Sequence, residues 1–176
     1  MTSELVPEDR RAAAQRLRLL VVCLGNICRS PMAEGALRAR IQIAGLDHLL
    51  TVDSVGTGHW HVGDPPDPRA IATAARHGVD ISGLRGRQLR ASDYHEFDWL
   101  LCADPDNLRD VRAAAPAGAR ASLSLLLDWA GQGKQGVPDP YTGGEADFER
   151  VWTLVDRAAL AIVGRQHARG NGASED

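Results

Sequence analysis

The sequence predicts a single α/β domain built on a parallel sheet, and three observations predict it. Short apolar runs alternate with helical segments along the 176 residues, the pattern of strands joined by right-handed helical crossovers. Two of the helical segments open on aspartate followed by proline, Asp67-Pro68 and Asp104-Pro105, the residue types favoured at N-cap and N1. The length fits one domain with a proper core, and 44% hydrophobic with 24% charged residues is ordinary for a soluble globular chain.

Residues 1–16 are polar and rich in alanine and arginine; they read as a flexible N-terminal extension or a short helix. The run Leu17 to Val22 reads as a buried first strand, at about 18–23. A glycine- and asparagine-containing loop follows, and Ser30 and Pro31 read as N-cap and N1 of a helix over about 31–44. Ala33, Ala36, Leu37, Ile41 and Ala44 fall at helical spacing there, with Gly45 at the end. Leu49 to Val55 is a second strand, and the glycine- and proline-rich 56–66 is irregular. The second helix starts at Asp67-Pro68 and stops at His77-Gly78. A third strand is expected at 97–103, a third helix from Asp104-Pro105, and a short fourth strand at 121–125. The last helix carries Phe148, Val151, Trp152, Val155, Ala159 and Ile162 on one face. The domain is expected to span 17–166, leaving 167–176 as a C-terminal tail. Sheets of this kind bind ligands beyond the carboxyl ends of their strands, where the 24–30 loop, Ser54 to Trp60 and Asp104 all fall.

Composition narrows the function. A net charge of −3 with one lysine gives no electrostatic footprint for nucleic acid. No apolar stretch reaches the roughly 20 residues of a membrane span, and the N-terminal residues lack the pattern of a secretory signal. Three cysteines are then expected as free thiols in a reducing cytoplasm.

The densest chemistry lies in Cys23-Leu24-Gly25-Asn26-Ile27-Cys28-Arg29-Ser30. Gly25 tolerates positive φ and Asn26 is the next most tolerant type, so the loop can curl until its backbone N–H groups converge on an anion. The helix behind it points its positive end at the same centre, which stabilises Cys23 as a thiolate. Arg29 can clamp two oxygens of a phosphate. Cys23 alone is more often a buried small apolar residue; a second signal is Pro138-Asp139-Pro140-Tyr141. A thiolate that attacks a phosphomonoester expels an oxyanion that needs a proton, and a carboxylic acid on a second loop supplies it.

With these residues the sequence resembles the low-molecular-weight protein tyrosine phosphatases. The matching stretches are Cys23 to Glu34, Asp53-Ser54, Trp60-His61-Val62-Gly63, Asp67-Pro68-Arg69-Ala70, His77-Gly78, Asn107-Leu108-Arg109 and Asp139-Pro140-Tyr141, in the family's order over about 18–165. The resemblance implies a flavodoxin-like, four-stranded parallel sheet with helices on both faces, and a metal-free, cofactor-free hydrolysis through a phosphocysteine. It implies Cys23 as nucleophile, Arg29 as phosphoryl clamp, and Asp139 as general acid and then base. Residues Leu24 to Ser30 would form the phosphate cradle, with Ser30 bonded to the thiolate. Trp60 and Tyr141 would wall the crevice for a phosphotyrosine ring, and Asp53, Ser54, His77 and Asn26 would support the cradle from behind. Packing beneath its own loop is the other reading for Trp60, and a helix C-terminal role the other for His77. Cys28 resembles a neighbour able to form a reversible disulfide with Cys23; a purely structural Cys28 is the alternative. The implied partner is a phosphotyrosine protein, met by a monomer or weak dimer.

Thr142 departs from the family, many members of which have a second aromatic there. An arsenate reductase on this fold would need two further cysteines on a mobile segment, and only Cys102 is left. A protein-arginine phosphatase would carry threonine in place of Ile27 and phenylalanine in place of Tyr141. A module that only binds phosphotyrosine would be expected to have lost Cys23, Arg29 or Asp139.

Overall fold

The computed structural model describes residues 16–172, and all but the last residue of the expected extension at 1–16 lies outside them. The elements are β1 (Leu17–Cys23), α1 (Arg29–Ile43), β2 (Leu50–Gly56), α2 (Pro68–Arg76), α3 (Asp93–Glu96), β3 (Trp99–Cys102), α4 (Pro105–Ala114), β4 (Ser122–Leu125), α5 (Leu126–Trp129) and α6 (Glu145–Gly172). The four strands form one parallel sheet in the order β2-β1-β3-β4. The chain leaves β1 towards β2 and returns on the other side to β3, so the crevice of this topology opens at the carboxyl end of β1. Cys23 is the last residue of that strand.

Both sheet faces are covered, and the two-residue period of β1 divides the core. Leu19, Val21 and Cys23 pack with Met32 and Leu37 of α1 and with Phe148, Val151, Val155 and Ile162 of α6. Leu20 and Val22 pack with Tyr94 and Val111 on the opposite face. At about 1.5–3 kcal/mol for each buried large apolar side chain, the apolar face of α6 alone supplies a major part of the burial. That helix runs on to Gly172, past residue 166, although its last buried residue among those described is Val163.

The Asp-Pro signals are realised locally. Asp67 Oδ1 accepts from Arg69 N at 2.8 Å, and Asp104 Oδ1 accepts from Asn107 N at 2.8 Å, each with proline at the helix start. Helix α2 ends at His77, and Gly78 follows at φ +78, the left-handed C-terminal stop that glycine makes easy. Ser30 corrects the expected cap. Helix α1 has Cys28 at its N-cap and Ser30 in its first turn, because the Ser30 hydroxyl is taken by partners from other parts of the chain. The short helices α3 and α5 lay in segments the sequence left unassigned.

Candidate active site

Between β1 and α1 the chain makes a turn whose one residue in the left-handed region is Asn26, at φ +57. Gly25, expected to supply positive φ, is not among the residues that do. Its lack of a side chain instead leaves room for His61, whose Cδ2 would lie 3.2 Å from an added Cβ. Asn26 holds the strained conformation because its side-chain amide is bonded on three sides.

The directions of those bonds follow from one backbone group. Arg87 N donates to Asn26 Oδ1 at 3.0 Å, which makes Nδ2 the donor to Ser30 Oγ at 2.8 Å and to Ser54 Oγ at 3.0 Å. Both serine oxygens therefore accept from Asn26 and must send their own protons elsewhere. Ser54 donates to Glu34 Oε2 at 2.6 Å. Ser30 has Cys23 Sγ at 3.0 Å, nearer than the Val55 carbonyl at 3.4 Å. Asn26 N also donates to Cys23 Sγ, at 3.3 Å. Two donors thus converge on the sulfur.

Glu34 and Arg87 are the supports that the sequence reading missed. Glu34 is 2% exposed; burial pushes its carboxyl up, against the pull of the Ser54 hydroxyl and Arg38. Arg38 grips Glu34 Oε1 through Nε at 2.9 Å and Nη2 at 2.6 Å. Asp53 does not touch the cradle itself. Its Oδ2 accepts from Arg87 Nη2 at 3.0 Å, and Arg87 also bonds both oxygens of buried Asp93, so Asp53 steadies the segment that orients Asn26. His77 is a correction: it stacks on Trp152 and bonds Glu149 Oε2 at 2.8 Å, which makes it a helix-end residue packed on α6. Ser54 lies between Asn26 and Glu34 in this network.

Arg29 is 4% exposed. Its Nη1 donates to Asp104 Oδ2 at 2.5 Å and to the Val137 carbonyl at 3.0 Å. Burial acts against the charge, and the Asp104 hydrogen bond together with the nearby Cys23, Asp104 and Asp139 groups outweighs it. Among the described residues nothing within hydrogen-bond distance accepts from Nε or Nη2, so that edge of the guanidinium is free for two oxygens of a bound anion. The backbone N–H groups of Leu24, Gly25, Ile27 and Cys28 likewise have no acceptor among the described residues. Unpaired N–H groups beside a buried guanidinium form an oxyanion site.

Asp139 reaches the same place from the loop before α6. Its Oδ2 lies 3.8 Å from Arg29 Nη2, while Oδ1 accepts from Tyr141 N at 3.1 Å. One oxygen is thereby fixed, and the other has no hydrogen-bond donor among the described residues. Arg69 anchors this loop, donating to the carbonyls of Tyr141 at 2.9 Å and Gly143 at 3.1 Å, with its guanidinium over the Phe148 ring. Asp67 in turn holds Arg69, and that hydrogen bond keeps the Asp67 carboxyl below its usual range.

The result is a cleft of about 180 Å³ lined by Cys23, Arg29 and Asp139, with Trp60 and Tyr141 at its mouth. Both aromatics stand free, at 62% and 53% exposure, so Trp60 is not packed beneath its loop. Ile27 and Cys28 also line the cleft. Burial, with the Asp67 carboxylate nearby, pushes the Cys28 thiol up to about 12, which keeps it neutral. Among the described residues, no group of three or more His, Cys, Asp or Glu side chains is placed to hold a metal ion, and no helix is long and apolar enough to cross a membrane.

The family model described as low molecular weight phosphotyrosine protein phosphatase matches residues 18–169. A low molecular weight protein-tyrosine-phosphatase of Streptomyces coelicolor is 40% identical over 162 residues, 89% of this chain and 98% of the relative. The crystal structure of a protein tyrosine phosphatase from Entamoeba histolytica superposes with a TM-score of 0.80 at 32% identity, over 88% of this chain and 99% of that one. Wzb of Vibrio vulnificus is 31% identical with a TM-score of 0.74, over 85% and 99%.

Proposed function

The chain belongs to the low molecular weight phosphotyrosine protein phosphatase family, and from that membership we propose that it hydrolyses phosphotyrosine in proteins through a phosphocysteine, without a metal ion. The observation that carries the reading is the meeting of Cys23, the free edge of Arg29 and Asp139 in one cleft. In the first step Cys23 Sγ attacks phosphorus, the P–O bond to the tyrosine breaks, and Asp139 Oδ2 gives its proton to the leaving oxygen. The equatorial oxygens carry the developing charge, and Arg29 with the loop N–H groups receives it. In the second step water attacks phosphorus, Asp139 takes a proton from it, and the S–P bond breaks to return thiolate and phosphate. The Ser30 hydroxyl, directed at the sulfur by the Asn26 amide, stabilises the departing thiolate.

Trp60 and Tyr141 suit an aromatic substrate, since an arene between them gains about 0.5–1.5 kcal/mol beyond its area. Wzb of Vibrio vulnificus was solved in complex with benzylphosphonate, a benzyl ring bearing a phosphorus acid, which supports the same choice here. Cys102, in β3 and fully buried, is not placed to relay a disulfide, which weighs against arsenate reduction. The test is steady-state hydrolysis of phosphotyrosine, phosphoserine and phosphoarginine peptides with chelator present. Turnover of phosphotyrosine alone is expected. Preference for phosphoarginine would move the assignment to that sister activity, and dependence on added metal would refute the mechanism.

A further inference from the structure

A second cleft, of about 370 Å³, lies on the other side of Trp60. Leu24 and Trp60 line both clefts, so the indole is the partition between them. Its place is built in by the chain: a Cβ on Gly58 would lie 1.8 Å from Trp60 Cζ3, and His59 stacks on the ring at 5.4 Å. The two chain segments that border it are joined by backbone hydrogen bonds, Gly56 N donating to Arg87 O at 2.9 Å and Leu89 N to Gly56 O at 2.8 Å. Gln88 Nε2 adds a bond to Thr57 O at 3.0 Å.

Two charges line this second cleft, Arg90 and Asp110, and they are not equally compensated. Arg90 has Asp93 as its nearest carboxylate, at 4.0 Å. That carboxylate already receives Arg87 Nη1 and Nη2 at 3.0 Å each and Arg90 N at 2.8 Å. Arg90 is 62% exposed at its side chain, and its guanidinium is the cation left to meet a ligand. Asp110 has Arg109 at 3.6 Å, a residue shared with Asp106 at 2.9 Å.

We propose that this cleft is a subsite of the same active centre, taking an acidic side chain close in sequence to the phosphotyrosine, with Arg90 as its partner. The inference rests on the function proposed above. A chain with its aromatic ring on one side of Trp60 has the second cleft directly across the indole. An extended peptide advances about 3.3 Å per residue, so a neighbour one or two positions away falls over the second cleft. Arg90 is a specificity residue in this account and touches no reacting atom.

The experiment compares kcat/KM for phosphotyrosine peptides carrying Glu, Ala or Lys at the flanking positions, with p-nitrophenyl phosphate as a substrate that has no flank. The wild type is expected to prefer Glu over Ala by about two- to fivefold, the range of a solvent-exposed ion pair, with the preference in KM and falling as salt is raised. Arg90→Ala should erase the preference and Arg90→Glu should turn it towards Lys, while p-nitrophenyl phosphate turnover stays within twofold. A Glu preference that survives Arg90→Ala, or a wild type blind to the flank, overturns the subsite and leaves the phosphatase assignment standing. Equal losses on p-nitrophenyl phosphate would make Arg90 a structural residue and also overturn it. No turnover of any phosphotyrosine peptide would overturn both.

Discussion

Replacing Asn26 by alanine removes three hydrogen bonds, from Arg87 N at 3.0 Å and to the hydroxyls of Ser30 at 2.8 Å and Ser54 at 3.0 Å. It leaves Arg87 N without its acceptor in a partly buried place and both serine hydroxyls without the donor that orders them. At about 1 kcal/mol for each lost bond, and about 1–3 kcal/mol for a buried group left unpaired, the cost is about 4–6 kcal/mol. Alanine must also hold φ +57, a region that costs an L-residue about 1–2 kcal/mol and glycine nothing. Asn26→Gly should therefore be about 1 kcal/mol more stable than Asn26→Ala, although both lose the same hydrogen bonds. Urea unfolding measures the stabilities, and p-nitrophenyl phosphate kinetics measure the site. Both variants should lose at least tenfold in kcat, because Ser30 no longer has its proton directed at Cys23. A loss below 1 kcal/mol with kcat unchanged would refute the claim that this amide organises the loop. Equal stabilities of the two variants would refute the strain argument.

Asp139→Ala should lower kcat on aryl phosphates by about 10²–10⁴-fold, with a smaller loss on substrates whose leaving group needs no proton; a uniform loss would mean the carboxylate acts otherwise. Asp104→Asn keeps an oxygen to cap α4 but removes the charge that holds Arg29 Nη1; KM for phosphate esters should rise at least severalfold with little change in melting temperature, and an unchanged KM would contradict the clamp. Alkaline pH should unfold the chain cooperatively. Buried Cys28, Cys102 and Tyr94 keep their protons up to about 12, against 9.0 for a thiol and 10.0 for a phenol. Their contribution is whole below pH 9 and is lost as pH rises towards 12, with a slope nearing about 4 kcal/mol per pH unit for three protons. Stability that stays flat to pH 11, followed by tryptophan fluorescence, would contradict their burial as neutral groups.

Local signals carried most of what the sequence made legible. Asp67-Pro68 and Asp104-Pro105 start helices through contacts within three residues, and the spacing of Cys23 and Arg29 places the two at opposite ends of one turn. The residues behind the cradle were hidden because their partners come from afar. Glu34 and Arg38 are four apart on one helix, and nothing local shows that Ser54 of β2 reaches the Glu34 carboxylate. Arg87 sits in a stretch with three other arginines, Arg85, Arg90 and Arg76, and no local pattern pairs it with Asp53, Asp93 and Asn26. Ser30 looked like a cap for the same reason: its hydroxyl serves Cys23 and Asn26, and only the fold brings them within reach. His77 stays between two readings in the sequence because its partners come from another element: at the end of α2 it meets Glu149 and Trp152 of α6. Asp104 did carry a signal for its contact with Arg29, since both lie at carboxyl ends of adjacent strands, β3 and β1.

The central claim is that phosphate passes through the sulfur of Cys23. The direct measurement is acid quenching of the enzyme during turnover of a phosphotyrosine peptide, followed by mass spectrometry of the 17–38 region, in wild type and Cys23→Ser. The account predicts a phosphoryl group on Cys23, accumulating further in Asp139→Ala when the leaving group is activated, and neither phosphoenzyme nor turnover in Cys23→Ser. A phosphoryl group on another residue, or hydrolysis that continues in Cys23→Ser, would contradict it.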